Sequence, residues 1–465
     1  MDIIVILLAL GLLMFVAYRG FSVILFAPLC ALFAVLFTGG PEQVLPFYSN
    51  VFMVKMVDFV KLYFPVFLLG AVFGKMVELS GSASSISKSI VNMVGPKQSI
   101  LAIVIACAVL TYGGVSLFVV AFAVYPFAAS LFKESRIPKR LIPGTIALGS
   151  FTFTMDALPG TPQIQNVIPT SFFGTNIYAA PTLGIIGAIF VLSLGLLYLN
   201  WRKNKALAAG EGYGEGHTNE PELQEDSKLP HPLLAIVPLV AVFVVNMIMN
   251  NAIPKIYGKA FDFTAIGLES FGTVDITKVK GIWSIEIGLL VGIVTTLIIG
   301  YQKIKAGIQN GLVASVGGSM LATMNTASEY GFGGVIASLS GFGAVKNVIG
   351  NAFSNPLVNE AVSINVLAGM TGSASGGMSI ALAAMGKQYM DAAQAAGISP
   401  EVLHRVASMA SGGMDTLPHN GAVITLLAVT GLTHKQSYID IFAITIIKTL
   451  AVFFIIAIYT LTGII

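Results

Sequence analysis

Met414-Asp415-Thr416-Leu417-Pro418 repeats, 259 residues on, the pattern of Met155-Asp156-Ala157-Leu158-Pro159. Each copy sits in a Gly/Ser/Thr-rich interruption of an otherwise apolar half of the chain. An acid beside a proline, at matched places in two hydrophobic halves, is the pattern of a transporter's duplicated binding loop.

The surroundings of the two copies place them in a membrane. Of 465 residues, 55% are hydrophobic and 10% charged, whereas a soluble domain carries about 25% charged residues. Mean hydropathy is +0.85. Apolar runs recur at residues 3–18, 23–37, 99–110, 181–199, 233–249, 282–300 and 439–461. A span needs about 20 residues, so the shorter runs borrow flanking residues or re-enter, and about 10 to 13 membrane segments are expected. The net charge of +3 is spread over loops and forms no nucleic-acid patch. Cys30 and Cys107 lie in separate apolar runs and read as small core residues. The first run lacks a basic leader and a small-residue cleavage site, so it reads as a mature span. Its composition points to a bacterial inner membrane.

Residues 201–231 break the apolar pattern with Trp201, Arg202, Lys203 and Lys205, then a Gly/Glu-rich stretch. This reads as a flexible charged linker, and basic residues directly after a span place it on the cytoplasmic side. The chain therefore divides into a first membrane repeat (1–200), a cytoplasmic linker (201–231) and a second repeat (232–465). Ordered landmarks support the duplication. Phe73-Gly74, Ser80-Gly81 and Gly95-Pro96 match Phe332-Gly333, Ser340-Gly341 and Asn355-Pro356. The string from Gly113 to Ser116 matches that from Gly376 to Ser379, and Pro138 matches Pro400. With Arg19, Lys303 and Lys305 on the cytoplasmic side, corresponding spans cross in opposite directions, which makes the repeats inverted. The fold class expected is an all-α polytopic membrane protein, with re-entrant hairpins and broken helices in two inverted repeats.

Chemistry at membrane depth is expected where Gly, Ser, Thr and Asn collect. Irregular backbone is tolerated there only when buried in protein or lining a wet cavity, and broken helices present N-terminal amides to an anion. The candidate substrate-binding residues are Gly113, Gly114, Ser116, Thr161, Ser373, Gly376, Gly377, Ser379, His419 and Asn420. The glycines either admit a ligand to the backbone or serve close helix packing. The hydroxyls either face a ligand or bond back to their own helix. Asp156, Asp415, His419 and Glu329 are the candidates for proton coupling, because an ionisable group within the bilayer is costly. The two aspartates also fit a turn-capping role before Leu-Pro. Glu360 is a further acid among small residues. Lys139, Arg140, Lys387 and Arg405 read as charges on the cytoplasmic rim, which leaves amide dipoles and hydroxyls to hold an anion. Gly70 to Lys75 has one residue too few for a nucleotide-binding P-loop and Met76 follows its lysine. No motif for a metal, a cofactor or an intramembrane hydrolase occurs.

The chain resembles the gluconate permease (GntP) family of the ion transporter superfamily over essentially its whole length. The likeness is carried by Leu141-Ile-Pro-Gly144, Met155 to Gln163, Gly331 to Val335, Gly372 to Gly377 and Met414 to Asn420. Within that family it is most similar to the D-3-hydroxybutyrate permeases. The resemblance implies proton-coupled uptake of a small hydroxy-acid anion. It further implies a homodimer with scaffold and transport regions and an elevator-like movement. Gluconate or another sugar acid is the alternative substrate. A passive anion channel and an intramembrane enzyme using Asp156 and Asp415 as a carboxylate pair are the readings from other classes.

Overall fold

Apolar runs become helices here because a bilayer core offers no water to the backbone, so each N–H and C=O must be satisfied within its own segment. The computed structural model describes residues 2–19, 21–115, 117–217, 219–220, 229–342, 353, 355–371, 373–418 and 420–465. The first half contains α1 (Asp2–Tyr18), α2 (Val23–Gly39), α3 (Pro41–Phe47), α4 (Met53–Leu79), α5 (Ser82–Val94) and α6 (Ser99–Tyr112). It continues with α7 (Leu117–Glu134), α8 (Ile142–Ser150), α9 (Phe153–Asp156), α10 (Ile164–Phe173) and α11 (Pro181–Ala208). A π-turn at Tyr48–Phe52 joins α3 to α4 without a break. The second half contains α12 (Pro232–Tyr257), α13 (Ile276–Ile304), α14 (Ile308–Ser338), α15 (Pro356–Thr371), α16 (Ala374–Ala395) and α17 (Pro400–Gly412). A tight turn at Gly413–Thr416 then leads to α18 (Gly421–Thr430) and α19 (His434–Thr462). Between α12 and α13 stands a small antiparallel ribbon of β1 (Ala260–Asp262) and β2 (Thr273–Asp275), with Ala260 opposite Asp275.

Among the described residues, five helical stretches are long and apolar enough to cross a membrane: Pro41–Leu79, Pro181–Ala208, Pro232–Tyr257, Ile276–Ile304 and His434–Thr462. Large apolar side chains such as Leu25, Leu197, Leu234, Ile298 and Leu450 are exposed along the helices, as lipid contact requires. The protein is an all-α polytopic membrane protein. The string from Gly70 to Lys75 lies inside α4, where the helix excludes a phosphate loop.

The two halves run through their helices in the same order. α6 ends at Tyr112 and α15 at Thr371, 259 residues apart. The two pentapeptides have that same spacing. The helix ends therefore align Gly113-Gly114 with Gly372-Ser373, and this corrects the pairing with Gly376-Gly377, four residues too far along. Gly113 and Gly114 follow the end of α6, whereas Gly376 and Gly377 lie in the first turn of α16. The halves dock reciprocally. α10 packs on α16 and α17, while α18 packs on α7 and α8. Counterparts also meet each other, α4 against α14 and α11 against α19.

Small residues set these approaches. A Cβ on Gly377 would overlap the backbone of Ala368, where α15 and α16 touch, whereas one on Gly376 would overlap the Glu329 carboxyl group. A backbone has no rotamer with which to retreat, so Gly377→Ala is expected to cost about 1–3 kcal/mol of stability. Gly376→Ala should lose less, because a side chain can swing away. Thermal unfolding of the two variants in detergent checks the order, and equal losses would show that Glu329 is as immobile as the backbone.

The linker departs from expectation along its first half. α11 continues to Ala208, and the chain beyond it is tied down. The Lys139 N–H donates to the Tyr213 carbonyl at 3.2 Å, and Lys139 Nζ pairs with Glu220 Oε1 at 2.7 Å. Tyr125 Oη donates to the Asn219 carbonyl at 2.8 Å, and Asn219 Nδ2 donates to the Val429 carbonyl at 2.9 Å. Arg140 grips Glu211 with two bonds, Nε to Oε1 at 2.8 Å and Nη2 to Oε2 at 2.9 Å. That guanidinium holds the Glu211 carboxyl below its usual range. This part is a strap across the ends of α7 and α18 rather than a free tether. Residues 221–228 lie outside the described residues.

Candidate functional site

Both Met-Asp-x-Leu-Pro segments interrupt helices, and the reason is local. After Ser150, α8 gives way to Phe151 and Thr152, then to the single turn of α9. Pro159 and Pro162 prevent that turn from continuing, since neither has an N–H to donate. Gly160 adopts φ +87° and donates its N–H to the Ile177 carbonyl at 2.9 Å. α10 restarts at Ile164. In the second half α17 ends at Gly412, Pro418 follows the turn, and α18 restarts at Gly421. Asn420 caps it, its Oδ1 accepting from the Ala422 N–H at 2.7 Å.

The structure brings the two aspartates to one buried centre. Asp156 is 2% exposed and Asp415 7%. The link between them is Lys448, itself 2% exposed, on α19. Its Nζ stands 3.1 Å from Asp156 Oδ2. It also donates to the Phe151 carbonyl at 2.5 Å and to the Gly412 carbonyl. Those carbonyls belong to the ends of α8 and α17, where helix dipoles concentrate negative partial charge. Gly412 is needed at its place, because a Cβ there would overlap the Asp156 carboxylate. Asp415 accepts from Gln165 Nε2 at 2.6 Å, and the Ala374 N–H and the Asn420 side chain also reach it. Asp415 thus ties the start of α16 to α10 of the other half.

A second buried base stands behind Asp156. Arg405 is 0% exposed. Its Nη1 donates to the Asp156 carbonyl at 2.8 Å and to Asn166 Oδ1 at 3.0 Å, while Nη2 donates to the Ala179 carbonyl at 2.8 Å. The Asn166 amide nitrogen donates to the Thr161 and Ile177 carbonyls at 2.9 and 2.8 Å, which leaves its oxygen to accept. His404 Nε2 lies 3.1 Å from that oxygen and so carries the proton, and its Nδ1 accepts from Thr175 Oγ1 at 2.6 Å. His404 is therefore a structural partner in a filled network.

These positions correct the reading of charges. Arg405 is buried at the centre, not on a rim, and Lys139 is buried beneath the linker, paired with Glu220. Lys387 is exposed beside Asp391, as a rim charge would be. Arg140 is part-exposed and pairs with Glu211 and Asp440. Lys448 was missed although it interrupts the apolar run 439–461, and a lone lysine in such a run is the signal that would have found it. Arg405 and His404 were hidden because α17 also carries Glu401 and Ser408, so its charges resemble those of a loop edge.

The remaining candidates divide. Thr161 is buried beside the Asp156 break, and its Oγ1 has no hydrogen-bond partner among the described residues. Ser373 caps α16, its Oγ accepting from the Gly376 N–H at 3.1 Å. Ser379 is buried and its Oγ lacks a hydrogen-bond partner among the described residues. Glu329, on α14, faces the first turn of α16 at Gly376, and Glu360 is buried on α15. Gly113 packs against Leu239 of α12, where a Cβ would overlap that side chain, and Gly114 lies against Pro162 and Phe73. Ser116 and His419 lie outside the described residues.

No protein-family profile matches the chain. It is 63% identical over its whole length to the whole of a Bacillus subtilis protein described as the uncharacterized transporter YxjC. The chain belongs to the YxjC transporter family. It is also similar, at 27% identity over 188 residues, to an uncharacterized permease of Haemophilus influenzae; the match covers 39% of this chain and 37% of that one. Among solved structures, it resembles the YdaH transporter of Alcanivorax borkumensis with a TM-score of 0.51 at 14% identity over 90% of each chain. It resembles MtrF of Neisseria gonorrhoeae, described as an antimetabolite efflux pump, with a TM-score of 0.54 at 13% identity over 91% of this chain and 85% of that one. At such identities these two likenesses show the fold, which is that of membrane transporters. Membership of the family makes the chain a membrane transporter.

Proposed function

We propose that the chain is a proton-coupled symporter of a small hydroxymonocarboxylate such as D-3-hydroxybutyrate, in a bacterial inner membrane. The observation that carries this reading is the charge balance of the centre. Asp156 and Asp415 stand against Lys448 and Arg405, so the formal charges cancel. A monocarboxylate entering alone would leave one buried negative charge uncompensated, at a cost of several kcal/mol. One proton arriving on either aspartate restores neutrality. The starts of α16 and α18 supply amide dipoles for the carboxylate, and the buried hydroxyls of Thr161 and Ser379 offer partners to a substrate hydroxyl. The resemblance to the hydroxybutyrate branch of the gluconate permeases supports the substrate class. Reciprocal docking of the two halves suits inverted repeats, with the spanning linker cytoplasmic, and a homodimer with an elevator-like movement completes the reading.

Purified protein in liposomes is expected to accumulate labelled D-3-hydroxybutyrate when the lumen is alkaline, with one proton per anion. Clamping the membrane potential with valinomycin and potassium should leave that uptake unchanged, because the loaded centre is neutral. Uptake driven by potential alone would overturn the stoichiometry, and gluconate uptake without hydroxybutyrate uptake would overturn the substrate. An aspartyl enzyme needs two carboxylates sharing a proton. Here each acid has its own partner, Lys448 for Asp156 and Gln165 for Asp415.

A further inference from the structure

Lys448 sits in a ligand set that belongs to a metal cation. Its ammonium donates to the Phe151 and Gly412 carbonyls and forms an ion pair with the Asp156 carboxylate, so three oxygens surround it. Two of these oxygens terminate interrupted helices, and ends of half-helices with unwound carbonyls are what ion-coupled transporters use to hold sodium. Asp415 is near enough for its charge to act on Lys448. On the far side of the Gly412–Gly413 turn, the buried Asn365 Oδ1, without a hydrogen-bond partner among the described residues, lies beside Gly413. All are hard oxygen donors of the kind alkali and alkaline-earth cations take.

We infer that the Lys448 ammonium is a tethered cation that occupies a latent sodium site, so that sodium cannot serve as the coupling ion. The cation that holds the ends of α8 and α17 together is covalently fixed to α19 and cannot leave with a substrate. Removing the ammonium while keeping the oxygens creates a site for sodium. The inference deepens the transport reading and rests on it for the meaning of coupling, but its test reads binding and needs no substrate.

Full-length protein in detergent is unfolded thermally in sodium, potassium and N-methylglucamine chlorides at matched ionic strength. The wild type is expected to unfold at the same temperature in all three. Lys448→Met should unfold earlier in N-methylglucamine and recover selectively in sodium, since a ligand that binds only the folded state raises stability by mass action. Adding Asp156→Asn to Lys448→Met should abolish the sodium response. Lys448→Gln, a milder change, carries the same comparison should Lys448→Met not fold. Sodium-selective stabilisation of the wild type overturns the inference, as does a folded Lys448 variant indifferent to sodium. Failure of hydroxybutyrate uptake would sink the substrate reading and leave this result standing.

Discussion

Lys448→Met is expected to lower stability by about 3–5 kcal/mol in sodium-free buffer, the range for a buried ion pair that loses one partner. The loss has two sources that can be separated. Asp156 is left as a buried carboxylate without its cation, and the Phe151 and Gly412 carbonyls lose a donor. Asp156→Asn in the same chain removes the first source only, so the double variant should regain part of the loss. Thermal unfolding of the wild type, both single variants and the double variant gives the coupling between the two residues directly. Uptake by Lys448→Met should fall with its stability and stay low at temperatures where the protein remains folded, because the ends of α8 and α17 are no longer tied. A coupling near zero would show that the two charges do not act as a pair.

Arg405→Lys is expected to be almost as damaging as Arg405→Met. The guanidinium reaches the Ala179 carbonyl from Nε and Nη2, and the Asp156 carbonyl and Asn166 Oδ1 from Nη1. A lysine keeps the charge but its single nitrogen cannot span acceptors set for a planar fork. A buried acceptor left without a donor costs about 1–3 kcal/mol; the Ala179 carbonyl depends on Arg405, whereas the Asp156 carbonyl keeps Ser408 Oγ and Asn166 Oδ1 keeps His404. Unfolding in detergent and recovery of monodisperse protein measure the effect. Retention of wild-type stability by Arg405→Lys would mean that charge, and not the fork, is what the site requires.

The architecture was open to sequence reasoning because it follows from local rules. A hydropathy far above that of soluble chains gives membrane helices, and Pro and Gly inside apolar runs give the interruptions at Asp156 and Asp415. The reciprocal partners were not open to it. Nothing local says that Gln165 will meet Asp415, 250 positions away, or that Lys448 will close on Asp156. Such pairings are set by how the halves dock, which a single sequence does not display. Arg405 shows the limit from the other side. Its neighbours Glu401, His404 and Ser408 are polar enough to suggest an edge, yet every residue from Val402 to Gly412 is buried. The pairing of Gly113-Gly114 with Gly376-Gly377 failed for a simpler reason: glycine doublets are common in packed membrane helices, and only helix ends fixed the register.

The position of Lys448 along the chain also bears on biogenesis. It is made 292 residues after Asp156, which at ribosomal rates of 5–20 residues per second is an interval of about 15–60 s. Throughout that time the nascent first half holds an acid destined for the interior without the cation that pairs with it, and the Phe151 carbonyl at the end of α8 lacks its Lys448 donor. The charge balance around Asp156 is thus completed only when α19 docks, which makes α19 the latch on the first half.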